Sequence, residues 1–202
     1  MKKILLSVAF VAATLTGANA QTTTISFETS EGFTLGDIDG QNGWGATQLP
    51  DNPNNPTFTI TDALSSDGTN SFYAEGTNIQ YQNNQGGLAY IGAFSGTLAI
   101  TSDIFEISAD VYMTTPTTEG NGSDFRFYAQ STSENFVTSV LDFNYQGNIR
   151  VVDIPSGGSN PAFQVVGTYD YDTWYNIKML YNFNNGSIEY FVNDTSVYMG
   201  TV

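Results

Sequence analysis

The run Glu106-Ile-Ser-Ala-Asp110 places two carboxylates on one face of an extended segment. A carboxylate pair can cleave a glycosidic bond when its carboxyl groups stand about 5–5.5 Å apart for retention, or about 6.5–9.5 Å apart for inversion. Four residues of strand separate Glu106 and Asp110 by roughly 13 Å, so they read as solvated acids. The chain contains no His and no Cys. That removes imidazole bases, Ser-His-Asp triads and His-ligated metals. It also removes thiol nucleophiles, zinc–thiolate sites and disulfides. Carboxylate, Tyr, Lys and Arg chemistry remains, together with hard metals held by oxygen.

A second set of polar residues alternates with apolar ones. Arg126, Tyr128 and Gln130 share the polar face of one run. Asp142 and Asn144 lie on the next run, Arg150 on the one after, and Tyr112 joins Asp110 on an earlier one. Consecutive strands often pair, so these positions would merge into one polar patch if the runs are neighbours. Aromatic rings that stack and amides or guanidinium groups that bind hydroxyls make a sugar-binding surface. A solvated outer face reads the same way, and catalysis by Tyr is the third reading. Trp44 follows a Gly-rich loop and either packs over the end of the fold or stacks on a ligand. Trp174, at the start of the longest run, is expected in the core. Asp37-Ile-Asp39-Gly40 opens like a calcium loop, but position 12 counted from Asp37 is Gln48, so an EF-hand is excluded.

The elements that must position these residues are strands. Alternating runs cover Thr24–Phe27, Thr57–Ile60, Ser71–Ala74, Leu88–Ile91, Phe105–Met113 and Asp124–Gln130. They continue through Thr138–Tyr145, Asn148–Ile154, Phe163–Tyr169, Thr173–Phe183, Ser187–Val192 and Ser196–Met199. A long loop region is expected over Asp37–Gly45 and Leu49–Thr57. Turn sequences such as Gln146-Gly147 and Asn184-Asn185-Gly186 separate the runs, and Asn-Gly-type turns are strong hairpin signals. An aromatic content of 14% favours strand. No segment shows a helical period. The expectation is an all-β, two-sheet antiparallel β-sandwich, one domain over residues 21–202.

Residues 1–20 read as a cleaved signal peptide. Lys2 and Lys3 precede an apolar stretch from Ile4 to Leu15, and Ala18-Asn19-Ala20 is a small-x-small cleavage site. The stretch is short of the roughly 20 apolar residues of a membrane span. A secreted or cell-surface protein follows, without membrane insertion and expected to be a monomer. The whole chain carries 20 acids against 5 bases, a net charge of −15. Losing Lys2 and Lys3 moves it to −17 and leaves Arg126, Arg150 and Lys178 as the cations. Such a surface repels phosphate backbones, so nucleic acid is excluded as a partner.

Three stretches carry a resemblance. Phe33-Thr-Leu-Gly36 leads into Gly40-Gln41-Asn42-Gly43-Trp44, similar to a G-x-x-x-G-Q-x-G-W opening. Phe105–Tyr112 resembles an f-x-l-s-x-d-v-y strand. Asp172-Thr-Trp-Tyr-Asn-Ile-Lys178 with Ile188–Asn193 resembles a W-y-x-i-k … i-x-y-y-v-n pair. Together they resemble the concanavalin A-like lectin/glucanase jelly roll, including laminin-G-like modules, in the style of secreted bacteroidete proteins. That resemblance implies a jelly-roll sandwich. Its glycanase branch carries E-x-D-x-x-E on one strand, and here Ser108 and Val111 stand where the second and third carboxylates belong. Its lyases pair Tyr with His or Gln and Arg, which leaves Tyr128, Gln130 and Arg126 as counterparts. It also implies a structural calcium with Glu28 as a first ligand. Family members continue past the equivalent of Ser196–Met199, so the natural protein is expected to be longer. The expected function is a non-catalytic carbohydrate-binding or adhesion-type module for a polysaccharide or glycan. The alternatives are a lyase or hydrolase of the same fold and a cell-surface interaction domain.

Overall fold

Period-two alternation becomes strand along most of the chain. A computed structural model describes residues 24–46, 57–75, 92–96, 99–116, 124–131, 136–153 and 161–201. The leader, the Pro/Asn stretch at 50–56 and the run at 88–91 lie outside them. Five short strands come first: β1 (Gly36–Asp37), β2 (Gly45–Ala46), β3 (Thr57–Thr61), β4 (Ser71–Glu75) and β5 (Ala93–Phe94). Longer ones follow: β6 (Ile104–Tyr112), β7 (Phe125–Ser131), β8 (Phe136–Asn144), β9 (Asn148–Asp153) and β10 (Ala162–Thr168). The last three are β11 (Trp174–Asn182), β12 (Ser187–Val192) and β13 (Thr195–Thr201). Among the described residues the only helical segments are the 3-10 turns Thr29–Glu31 and Gln41–Gly43. The chain is all-β, as its alternation requires.

Two four-stranded antiparallel sheets form a sandwich. One is the meander β10-β9-β8-β7 and the other has the order β13-β12-β11-β6. After β6 the chain builds the whole meander and then returns to lay β11 antiparallel against β6. Because side chains alternate, odd-numbered residues of β8, β9 and β11 face inward. Leu141, Phe143, Ile149 and Val151 from the meander meet Ile177, Met179, Tyr181, Ile188 and Tyr190 from the other sheet in one buried cluster. Phe125, Phe127 and Ala129 pack against it, as do Phe105, Ile107, Ala109 and Met113. These are the inward faces read from the alternation.

The N-terminal strands surround a second cluster of Phe33, Ile38, Phe58 and Ile60. They form the sheets β1-β3-β4 and β2-β5. The first strand expected, Thr24–Phe27, does not form. Phe27 adopts a φ of 60°, which breaks an extended run, and its ring packs at 5.3 Å from Phe33 and 5.5 Å from Trp44. The expected loop over Asp37–Gly45 is bounded by β1 and β2 and stitched by the side chains of Asp37, Asp39, Gln41 and Asn42. Gln41 accepts the Thr34 N–H at 2.8 Å and donates to the Thr34 carbonyl at 3.1 Å. Gly40 and Gly43 take φ values of 79° and 80°, which only glycine adopts without strain. The G-Q-x-G-W sequence is therefore a loop-building device.

Candidate functional site

The sandwich has two outward faces. On the meander, Arg126 of β7, Asp142 of β8 and Arg150 of β9 stand directly opposite one another. Asp142 is fully buried. One carboxylate oxygen accepts from Arg126 Nε at 2.8 Å and the other from Arg150 Nε at 2.7 Å. Asp124 accepts from Arg150 Nη2 at 2.6 Å and from Arg126 Nη2 at 3.5 Å. The Phe163 ring closes the cluster, 4.3 Å from the Arg150 guanidinium carbon and 5.1 Å from that of Arg126. Two acids neutralise two bases. Burial lowers the Arg150 pKa, but bonding and attraction from Asp142 and then Asp124 outweigh it, and the guanidinium ends above its ordinary value.

This arrangement departs from a solvated outer face at Asp142, Arg126 and Arg150, which spend their polar groups on one another. Asp142 spends both oxygens on arginines. Asn144 is buried as well. Its Oδ1 accepts the N–H groups of Gln146 at 3.0 Å and Asn148 at 3.1 Å, so it staples its own hairpin. The Tyr169 hydroxyl donates to the Asn144 carbonyl at 2.8 Å. Burial, helped by Tyr171, Asp124 and Asp142, raises the Tyr169 pKa and keeps that proton in place. Tyr128 remains exposed on this face. Gln130 lies past a register shift and pairs with Val137, and its side chain is outside the described residues.

Tyr112 does not join that patch. It belongs to β6, in the opposite sheet, where Trp174 stands directly across from it. Their ring centroids are 5.2 Å apart and tilted by 53°. Trp174 thus lies half-buried on the outer face, because inward positions of β11 are odd-numbered. This corrects its expected place in the core. The next pair along the same face is Asp110 with Asn176, whose Nδ2 donates to the carboxylate at 2.8 Å. The Asn193 side-chain oxygen accepts the Asn176 N–H at 2.9 Å and fixes this corner to the β12–β13 turn. Before β11, Asp172 accepts the Thr115 N–H at 3.1 Å and its hydroxyl at 2.6 Å. Both bonds from Thr115 lower the Asp172 pKa.

Each ring of the aromatic pair offers a π surface, and the adjacent carboxylate and amide offer acceptor and donor, about 7 Å further along the strands. Asn176, Asp124 and Phe163 were not singled out from sequence. For Asp124 the only local signal was Arg126 two residues on, since Arg150 lies 26 residues away. Asn176 meets Asp110 across 66 residues, and no local pattern marks that.

Trp44 lies in the second cluster, with its ring 6.1 Å from Phe72. This is the packing alternative of its two readings. Glu28 sits beside the 65–70 loop. One of its oxygens accepts the N–H groups of Thr69 at 2.6 Å and Asn70 at 2.8 Å. It caps a turn with that one oxygen. Among the described residues no group of three or more metal-binding side chains forms. Comparison of the chain with protein-family models, with curated proteins and with solved structures finds no match.

Proposed function

We propose that this chain is a secreted, non-catalytic carbohydrate-binding module, a β-sandwich of the concanavalin A-like type, acting through the outer face of β6 and β11. The observation that carries this reading is the half-buried Tyr112–Trp174 pair beside the Asp110–Asn176 hydrogen bond. The C–H face of a sugar ring packs on an aromatic surface, while its hydroxyls need a donor and an acceptor close by. The rings and the amide are held by neighbours before any ligand arrives, which lowers the ordering cost of binding. The acidic excess of the chain disfavours sulfated or uronic glycans, so the ligand is a neutral polysaccharide. The Arg126–Asp142–Arg150 cluster supports the sheet behind it.

A hydrolase reading rests on one register relation. Glu106 and Glu189 flank Leu180 on the same face, one strand to either side, with backbones about 10 Å apart. A glycan array probed with the wild-type chain and Trp174→Ala tests the binding reading. Signal on neutral glycans that disappears in the variant is expected, and equal signal from both proteins rejects it. Release of reducing sugar, abolished by Glu189→Gln, would move the assignment to hydrolysis.

A further inference from the structure

The outer face of the β13-β12-β11-β6 sheet continues well beyond the aromatic pair. Below Asp110 and Asn176 comes Ser108 beside Lys178, whose ammonium lies 4.7 Å from the Phe191 ring centroid. Beyond that, Leu180 stands between Glu106 and Glu189, with Met199 next to Glu189 on β13. Ile104, Leu180 and Met199 form the apolar part of a hollow of about 260 Å³. Asn182, Asn185, Ser187 and Glu189 supply its polar part. Asn182 and Asn185 each use the side-chain oxygen to hold the β11–β12 turn, and Glu189 uses Oε1 for the Ser196 hydroxyl. Their two amide nitrogens and Glu189 Oε2 have no partner among the described residues. A hollow of this size sits just below the range of drug-sized ligand sites and suits one sugar ring.

The aromatic pair and the hollow are displaced from each other along the strands, not across them. From Trp174 to Asn182 the face runs about 26 Å, several sugar rings in length. We infer that one linear neutral glycan lies lengthwise along β11, with one ring on Trp174 and Tyr112 and another in the Ile104–Leu180–Met199 hollow. This inference rests on the carbohydrate-binding reading and adds the ligand's form: an extended chain of about five rings, bound internally, and not a single sugar.

Titration calorimetry with cello-, laminari-, xylo- and manno-oligosaccharide ladders, dimer to hexamer, tests it. At least one ladder should bind with affinity rising tenfold or more from dimer to pentamer, then level off. Met199→Asp changes a side chain that is 65% exposed. It should remove most of the gain of the pentamer and leave the dimer unchanged, and Leu180→Asn should act in the same direction. Trp174→Ala should weaken every length. Binding that depends on Trp174 but is flat with length and insensitive to Met199→Asp overturns the lengthwise site while the carbohydrate reading survives. Absence of binding to every ladder overturns both.

Discussion

Trp174 and Tyr112 face each other across β11 and β6, 62 residues apart in sequence and with ring centroids 5.2 Å apart. Neither ring belongs to the core. Each is held half-buried on the outside of the sandwich, where ring surface is offered to a partner at little further ordering cost.

Removing one ring should therefore weaken a ligand more than the fold. Trp174→Ala and Tyr112→Ala are each expected to cut affinity for a neutral glycan by tenfold or more. That corresponds to about 1.4 kcal/mol. Far-ultraviolet circular dichroism should be unchanged. Affinity gel electrophoresis in a series of neutral polysaccharides measures the first, and a variant that migrates like wild type on a retarding gel contradicts the assignment.

Asp142 behaves in the opposite way. Its carboxylate is fully buried between Arg126 and Arg150. Taking away one partner of a buried ion pair leaves uncompensated charge and costs about 3–5 kcal/mol. Asp142→Ala should lower unfolding free energy by that order in urea titrations. A loss below about 1 kcal/mol, the usual worth of a surface pair, would show that the cluster is solvent-screened.

Two carboxyls impose an acid limit. Asp172 is held below its ordinary pKa by the hydroxyl and the N–H of Thr115. Burial raises the Glu31 pKa, but the bonds from Ser26 outweigh it and the net shift is downward. A group with a depressed folded pKa adds stability above its unfolded value, and that stability fades as pH falls through the folded value. Melting temperature should thus drop below about pH 4, and Asp172→Asn should flatten part of that drop while lowering the neutral-pH value. An identical pH slope in wild type and variant would remove Asp172 from the account.

Glu28 separates a structural role from a metal role. Its carboxylate receives two backbone N–H groups from the loop at Thr69 and Asn70, each such bond contributing about 1 kcal/mol. Glu28→Ala should lower melting temperature equally in chelator and in millimolar calcium. A calcium-dependent rise in wild type that the variant lacks would make Glu28 a ligand after all.

Much of the fold was legible because strand side chains repeat every two residues. Phe105, Ile107 and Ala109 declare an inward face within one run, and Ile177 and Met179 do the same in another. Gln146-Gly147 and Asn184-Asn185-Gly186 declare hairpins, so the pairings of β8 with β9 and of β11 with β12 are local information. The sequence by itself therefore determined an all-β chain, its strands from β6 onward and the inward side of β6 and β7, whereas on β11 the expectation of Trp174 in the core ran against the Ile177–Met179 face. It did not determine which strands cross between sheets. Pairing β6 with β11 closes a loop that contains the whole meander, and that choice depends on burying both inner faces at once. Only the tertiary structure decided that Tyr112 leaves the Arg126 patch for Trp174, that Phe163 lies over Arg126 and Arg150, and that Phe27 turns inward instead of extending. Each depends on contacts between residues far apart in the chain, where alternation carries no information about partners.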